Sequence, residues 1–140
     1  MTVLFIAPIP GPMTGTSLAA KVLLDVLRES HRVEVIDLSK SSFHPGIASP
    51  GRIAQVLHIL WNTWRKKRGA EVIYFTVSES LGGNLKDLLI YCLCFRQLSR
   101  MVIHLHGGAS MKANILRRGR LLRVVNAYFL RRLGGVIVLG

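Results

Sequence analysis

The sequence has few acidic residues, few cysteines and few aromatics, and each shortage narrows what the chain can be. Seven Asp and Glu stand against nineteen Lys and Arg in 140 residues, a formal charge of +12. That balance calls for an anionic partner (nucleic acid, an acidic membrane surface or a phosphorylated ligand) and says nothing about fold. Cys92 and Cys94 are the only cysteines. Two apart in a helical segment, they stand roughly 200° from each other around the axis, badly placed to pair or to chelate, and read as buried thiols in a reducing cytoplasm. No uncharged run approaches the roughly 18 apolar residues of a membrane span. The most apolar stretch, 85–95, carries Lys86 and Asp87 at its start and is closed by Arg96. The first residues, MTVLFIAPIPGP, lack the basic region and cleavage site of a signal peptide. The expectation is a cytoplasmic chain, soluble or held on a surface, including the inner face of the cytoplasmic membrane. Neither G-x-G-x-x-G nor the lysine-bearing phosphate loop occurs, which argues against dinucleotide binding and phosphoryl transfer. No D-x-D occurs either, which argues against a metal-bridged pyrophosphate. Only ten aromatics are present and no nucleic-acid motif, so nucleic acid is not expected as a partner.

What is present is an alternation of apolar segments. Half of the residues are apolar, enough to build one buried core, and no linker, repeat or low-complexity tract divides residues 1–140, which reads as a single domain. Residues 2–7 form an apolar run expected to be a strand buried on both faces. A proline- and glycine-rich loop follows, then a helix over 16–28 with Thr16 or Ser17 as its cap. A second strand is predicted at 33–38, a polar loop at 39–51, and then the cleanest helical period in the chain. There Ile53, Val56, Leu57, Leu60, Trp61 and Trp64 recur at i, i+3, i+4, i+7, i+8 and i+11. Arg65, Lys66, Lys67 and Arg68 suit the negative end of that helix. Strands are predicted at 72–76 and 101–105, around a helix from Asn84 to Gln97 with Asn84 as its cap and Asp87 in its first turn. A basic helical region covers 111–132, and 136–140 reads as one more core strand. A chain that stops on a strand is expected to belong to something longer. Strands and helices in alternation predict an α/β, Rossmann-like, doubly wound parallel sheet of about five strands with helices on both faces. Strand order 3-2-1-4-5 is assumed.

In such a sheet, ligands bind outside the carboxyl ends of the strands where the order reverses. With the assumed order, this brings together the loop after the first strand and the sequence VIHLHGG at 102–108. His106, Gly107 and Gly108 offer an ionisable ring beside backbone that a ligand can approach. His104 and His106 share one side of a strand; that spacing suits zinc given a third ligand, but no acidic or cysteine partner is near in sequence, and no metal site is expected. His104, deeper in the strand, reads as structural. In the first loop, Gly11, Gly15 and Thr16 either cradle a phosphate before a helix N-terminus or serve backbone geometry alone. Ser80, Gly82 and Gly83, after the third strand, line the same end of the sheet. Glu79 is either a general base or a solvated loop acid.

Arg117, Arg120, Arg123 and Arg131 fall within about 120° of one another on a helical wheel. Leu121, Val125, Tyr128 and Phe129 take other angles and can pack inward. The arginine stripe reads as a surface for anionic lipid headgroups or as a solvated basic face.

Taken together, VLFIAPIPGPMTGTS, VIYFTVSESLGGNLKDLLI, VIHLHGG and RRLGGVIVLG resemble the N-terminal half of GT-B glycosyltransferases, in particular the family-4 type that builds bacterial cell-surface polysaccharides and glycolipids. The likeness runs over nearly the whole chain. It departs at Gly134 and Gly135, where the family has Ala-Asp, and at Gly140, where Ser is common. The resemblance implies the acceptor-side domain of a two-domain retaining enzyme that uses a nucleotide-sugar donor, a carbohydrate or lipid-linked acceptor and no cofactor or catalytic metal. It implies that His106 lies against the donor sugar, that Gly11 and Gly15 lie near donor phosphates and acceptor, and that the protein is often peripheral on the inner membrane face. The family's E-x7-E motif and donor-binding domain would lie beyond residue 140, so this polypeptide alone is expected to be inactive without a C-terminal domain or partner chain. The alternative is a non-catalytic Rossmann-like module that binds an anionic membrane surface or a separate catalytic chain.

Overall fold

A computed structural model describes residues 1–9, 15–39, 50–106, 111–113 and 117–138. The chain is an α/β fold with a parallel sheet of five strands: β1 (Thr2–Ala7), β2 (Arg32–Asp37), β3 (Val72–Thr76), β4 (Met101–Leu105) and β5 (Gly135–Val138). The helices are α1 (Gly15–Ser30), α2 (Pro50–Lys66), α3 (Leu81–Leu93) and α4 (Arg120–Leu130), with a 3-10 helix at Phe95–Arg100. The fold class expected from the alternation holds. The assumed strand order does not: it is β2-β1-β3-β4-β5. The physical reason lies in β2, whose Arg32 and Glu34 suit an edge with one neighbour and not a place between two strands. The order therefore reverses at β1 and β3, and β4 is not a strand of the switch point.

The chain forms two compact units, Met1–Tyr74 and Phe75–Gly140. In the first, β1 is buried from Val3 to Ala7, which is why its run is apolar without alternation. Its register with β2 pairs Phe5 with Val35 and Ile6 with Ile36. Phe5 and Ala7 face α1, meeting Ala20 and Leu24, with Val33 and Val35 packed against the cluster. Phe5 also stacks on Tyr74, centroids 4.4 Å apart. Full burial of a side chain such as Phe5 or Leu24 contributes about 1.5–3 kcal/mol. The alternate residues of β2 face α2, where Lys66 Nζ lies 3.8 Å from Glu34 and donates to the Val35 carbonyl at 3.3 Å. Helices thus cover both faces of this unit, as right-handed crossovers in opposite directions require.

The apolar side chains of α2 do not all turn inward. Ile59 and Thr63 are buried and Val56 and Leu60 half-buried, while Ile53, Leu57, Trp61 and Trp64 are exposed.

In the second unit, Phe75, Tyr91 and Phe129 form a chain of ring contacts at 5.8 and 5.4 Å. Between α3 and α4 a buried Asn84–Asn126 pair exchanges two amide hydrogen bonds, of 2.8 and 3.0 Å, so that neither amide is left unsatisfied in the core. Asn84 is therefore not the cap it was expected to be. Ser80 is, its hydroxyl accepting from Gly83 N at 3.2 Å; α3 starts three residues earlier and ends at Leu93. Asp87 consequently lies beyond the first turn. Cys94 is buried as expected but Cys92 is exposed. In the basic region residues 111–113 are helical, and a separate helix, α4, starts at Arg120, after Gly119 with its extended backbone (φ 177°).

β5 is an edge strand with Val136, Ile137 and Val138 exposed, not a core strand, since among the described residues it pairs with β4 alone. Its entry needs glycine. Gly134 N donates to the carbonyls of Leu98 and Met101, and a Cβ there would meet Ser99 O at 2.4 Å. That close approach is the structural cost of having Ala-Asp at this point instead of Gly-Gly.

Candidate functional site

The richest chemistry in the second unit lies at the carboxyl ends of β3 and β4. The strands are tied where they end, Val77 N donating to the His104 carbonyl at 3.2 Å. The next residue is pinned by a side chain. Asp87, from α3, accepts the Ser78 N–H at 2.6 Å and is 2.7 Å from Lys86 Nζ. Asp87 is completely buried and the Lys86 side chain nearly so, its ammonium also lying 5.4 Å from the Phe75 ring centroid. Burial pushes the Asp87 carboxyl above its ordinary value, and Lys86 and the Ser78 hydrogen bonds pull it back. A carboxylate held this way sets the path of the loop Ser78–Glu79–Ser80 into the first turn of α3. Gly83 completes the turn. A Cβ there would lie 2.3 Å from the Ser78 Cβ and 2.9 Å from the Ser80 hydroxyl, so the loop and helix approach only because position 83 has no side chain.

His104 and His106 project from the same side of the β4 segment and stack, centroids 4.1 Å apart and rings 26° from parallel. His104 is buried and His106 half-buried. Burial holds both below the usual histidine range, the neighbouring His106 adding to the effect at His104. Glu79 pulls His106 the other way, so the loop after β3 and the end of β4 share one electrostatic environment. Both shifts favour the neutral form of the rings. Among the described residues His106 Nε2 is buried without a hydrogen-bond partner, an uncommon condition for a buried polar atom and one that calls for an explanation. A neutral imidazole with an open nitrogen can accept a proton or bond a hydroxyl. Among the described residues no group of three His, Cys, Asp or Glu could hold a metal ion.

The expected site residues divide. His106, Ser80, Gly82 and Gly83 fall together in the second unit. Gly15 opens α1 in the first unit. Gly11, Gly107 and Gly108 lie outside the described residues, as does the side chain of Thr16. Of the described glycines of this set only Gly83 is sterically required; a Cβ at Gly15 or Gly82 meets nothing within 4 Å. The anchor Asp87–Lys86 was not singled out from sequence for this role, although a charged pair inside the most apolar segment is a signal that could have found it.

Arg117, Arg120, Arg123 and Arg131 are all exposed, and none makes an ion pair among the described residues. Arg117 lies ahead of α4, in the turn before Gly119, so the stripe is not carried by one helix. Phe129 is buried as expected, but Leu121 is 78 % exposed and Tyr128 is exposed too. Apolar and basic side chains therefore share the outer face of α4. No helix among the described residues is long and apolar enough to cross a membrane.

No protein-family model matches this chain, and no curated protein matches it. The α/β fold with its parallel sheet is consistent with a fragment of GT-B type.

Proposed function

We propose that the chain is the acceptor-side domain of a retaining glycosyltransferase that moves a sugar from a nucleotide-sugar to a carbohydrate or lipid-linked acceptor, and that it needs a donor-binding domain or partner chain to act. The observation that carries this reading is His106: a half-buried imidazole at the carboxyl end of a sheet strand, held toward its neutral form by burial, its Nε2 without a partner among the described residues. A donor-sugar hydroxyl would satisfy that nitrogen and fix the sugar. Neutrality matters, because an imidazolium there would have no lone pair to accept the hydroxyl proton. Transfer then depends on holding acceptor and anomeric carbon together and on stabilising the departing phosphate electrostatically. Ser80, Gly82 and Gly83 in this reading lie near donor or acceptor, beside His106.

The test is turnover of a labelled nucleotide-sugar by the chain joined to a candidate donor-binding domain. His106→Ala should lower turnover by roughly 100-fold or more, the size of effect typical of a positioned acid–base group; near-wild-type turnover rejects the assignment.

A second reading, a non-catalytic module on an anionic membrane surface, is favoured by one feature, the exposed Leu121 and Tyr128 beside Arg120, Arg123 and Arg131 on α4. The two readings are compatible if the enzyme works on the inner face of the cytoplasmic membrane. They part if the chain binds lipid and no added domain confers turnover.

A further inference from the structure

Among the described residues, the outward face of α2 is left exposed. Ile53, Leu57, Trp61 and Trp64 are between 43 % and 60 % exposed and fall within an arc of about 80° on the helix. Both tryptophans of the chain are in this set, their rings 5.3 Å apart. At the C-terminal end of the stripe Arg65 and Arg68 are exposed, the Arg68 guanidinium lying 5.8 Å from the Trp64 ring centroid. Residues 50–69 contain five Lys and Arg and no Asp or Glu.

The opposite helix of the same unit shows what this pattern adds. α1 also exposes an apolar row, Leu18, Val22 and Val26, but its Lys21 and Arg28 are matched by Asp25 and Glu29. That face has no sign of charge to choose an occupant. The α2 face has one, and it selects an anionic surface. Indole rings settle at an apolar–polar boundary, and cations beside them meet the headgroups. A folded acidic protein would satisfy the charge but would require a matching concave apolar surface. A bilayer accepts a convex row of side chains as it stands.

We propose that α2 docks in the plane of an anionic phospholipid surface, with Ile53, Leu57, Trp61 and Trp64 inserted at the headgroup boundary and Arg65 and Arg68 against lipid phosphates. This site is on a different helix from the arginine face of α4, and it stands whether or not the chain takes part in sugar transfer.

The two tryptophans make the test direct, because α2 carries the whole indole emission of the protein. The 140-residue chain is titrated with vesicles of phosphatidylcholine alone and with vesicles of equimolar phosphatidylcholine and phosphatidylglycerol. The expected result is a blue shift and protection from aqueous quencher with the anionic vesicles only. Arg65→Gln with Arg68→Gln should weaken partitioning roughly 30-fold and Leu57→Ser about tenfold. Both sets of substitutions are on exposed residues, and circular dichroism checks that the fold is kept. Sedimentation with vesicles while the indoles stay quenchable would overturn the proposal and leave the α4 face as the lipid contact. It is equally overturned by no binding at all, by equal shifts on neutral and anionic vesicles, or by a concentration-dependent shift without lipid, which would mean that a second copy of the chain covers the face.

Discussion

The two compact units use the same device at the ends of their strands and obtain different things from it. In the first, Asp37 at the end of β2 accepts the N–H of Ile9 at 2.9 Å and of Ser39 at 2.7 Å, and the Ser39 hydroxyl donates back to the Ile9 carbonyl. In the second, Asp87 accepts the N–H of Ser78. Each is an aspartate that holds a loop after a strand. Asp37 is exposed, and water can stand in for it. Asp87 is buried with a nearly buried lysine, and no water can. Beside Asp87's loop stands His106, whose Nε2 has no hydrogen-bond partner among the described residues; among the described residues the network at Asp37 links only backbone and serine groups to the aspartate. A ligand-orienting group is useful only where the surrounding backbone does not move, and the buried anchor supplies that rigidity in the second unit.

The largest effect that tests this difference is expected at Asp87. Asp87→Ala removes the acceptor from Ser78 N–H and leaves Lys86 buried without its counter-charge. Breaking one side of a buried pair costs about 3–5 kcal/mol, to be read as a shift in the urea midpoint at unchanged slope. Lys86→Ala should recover part of that loss when combined with it, since the uncompensated charge is then gone. A loss below about 1 kcal/mol, the range of exposed pairs, would mean that Asp87 is no more an anchor than Asp37.

Much of the fold could be read from the sequence, and the reasons are local. β1, β3 and β4 have runs that are apolar on both faces, and their observed bounds, Thr2–Ala7, Val72–Thr76 and Met101–Leu105, are those predicted. The strand order could not be read in this way, because it depends on which side of β1 the chain returns to after α2, and periodicity is silent on that choice. The α2 stripe misled for a related reason. A hydrophobic period marks faces of a helix but does not say how many of them the sheet can cover, and most of the apolar residues on α2 remain outside. His106 was legible as a strand-end histidine before two glycines. Its half-burial and the electrostatic pull of Glu79 on it were not, since both depend on the loop that Asp87 holds from nine residues away.

A smaller effect should separate two adjacent glycines. Gly83→Ala forces a methyl group into Ser78 and Ser80 and should cost about 1–3 kcal/mol, as overpacking does. Gly82→Ala meets open space and should be neutral or stabilise α3 by up to about 1 kcal/mol, the helix preference of Ala over Gly. Thermal unfolding of the two variants side by side is the measurement. If both behave alike, the Gly-Gly pair serves the helix as a whole and not the approach of the loop.

The smallest effect is expected at Asp37, and its size matters as much as its sign. Asp37→Ala deletes an acceptor shared by two backbone N–H groups, but both sit where solvent reaches, so each donor can turn to water. The net loss should be about 1 kcal/mol, that of an ordinary hydrogen bond exchanged for hydration. Asp37→Asn should recover most of it, because one amide oxygen can accept from both donors. The same exchange at Asp87 should recover much less, because an amide can replace the oxygen that faces Ser78 but not the charge that faces Lys86. Urea titrations of the four variants thus compare geometry with charge at two sites of one architecture. Equal recovery at both positions would show that burial makes no difference to what the aspartate does, and would remove the reason for treating the second unit as the rigid one.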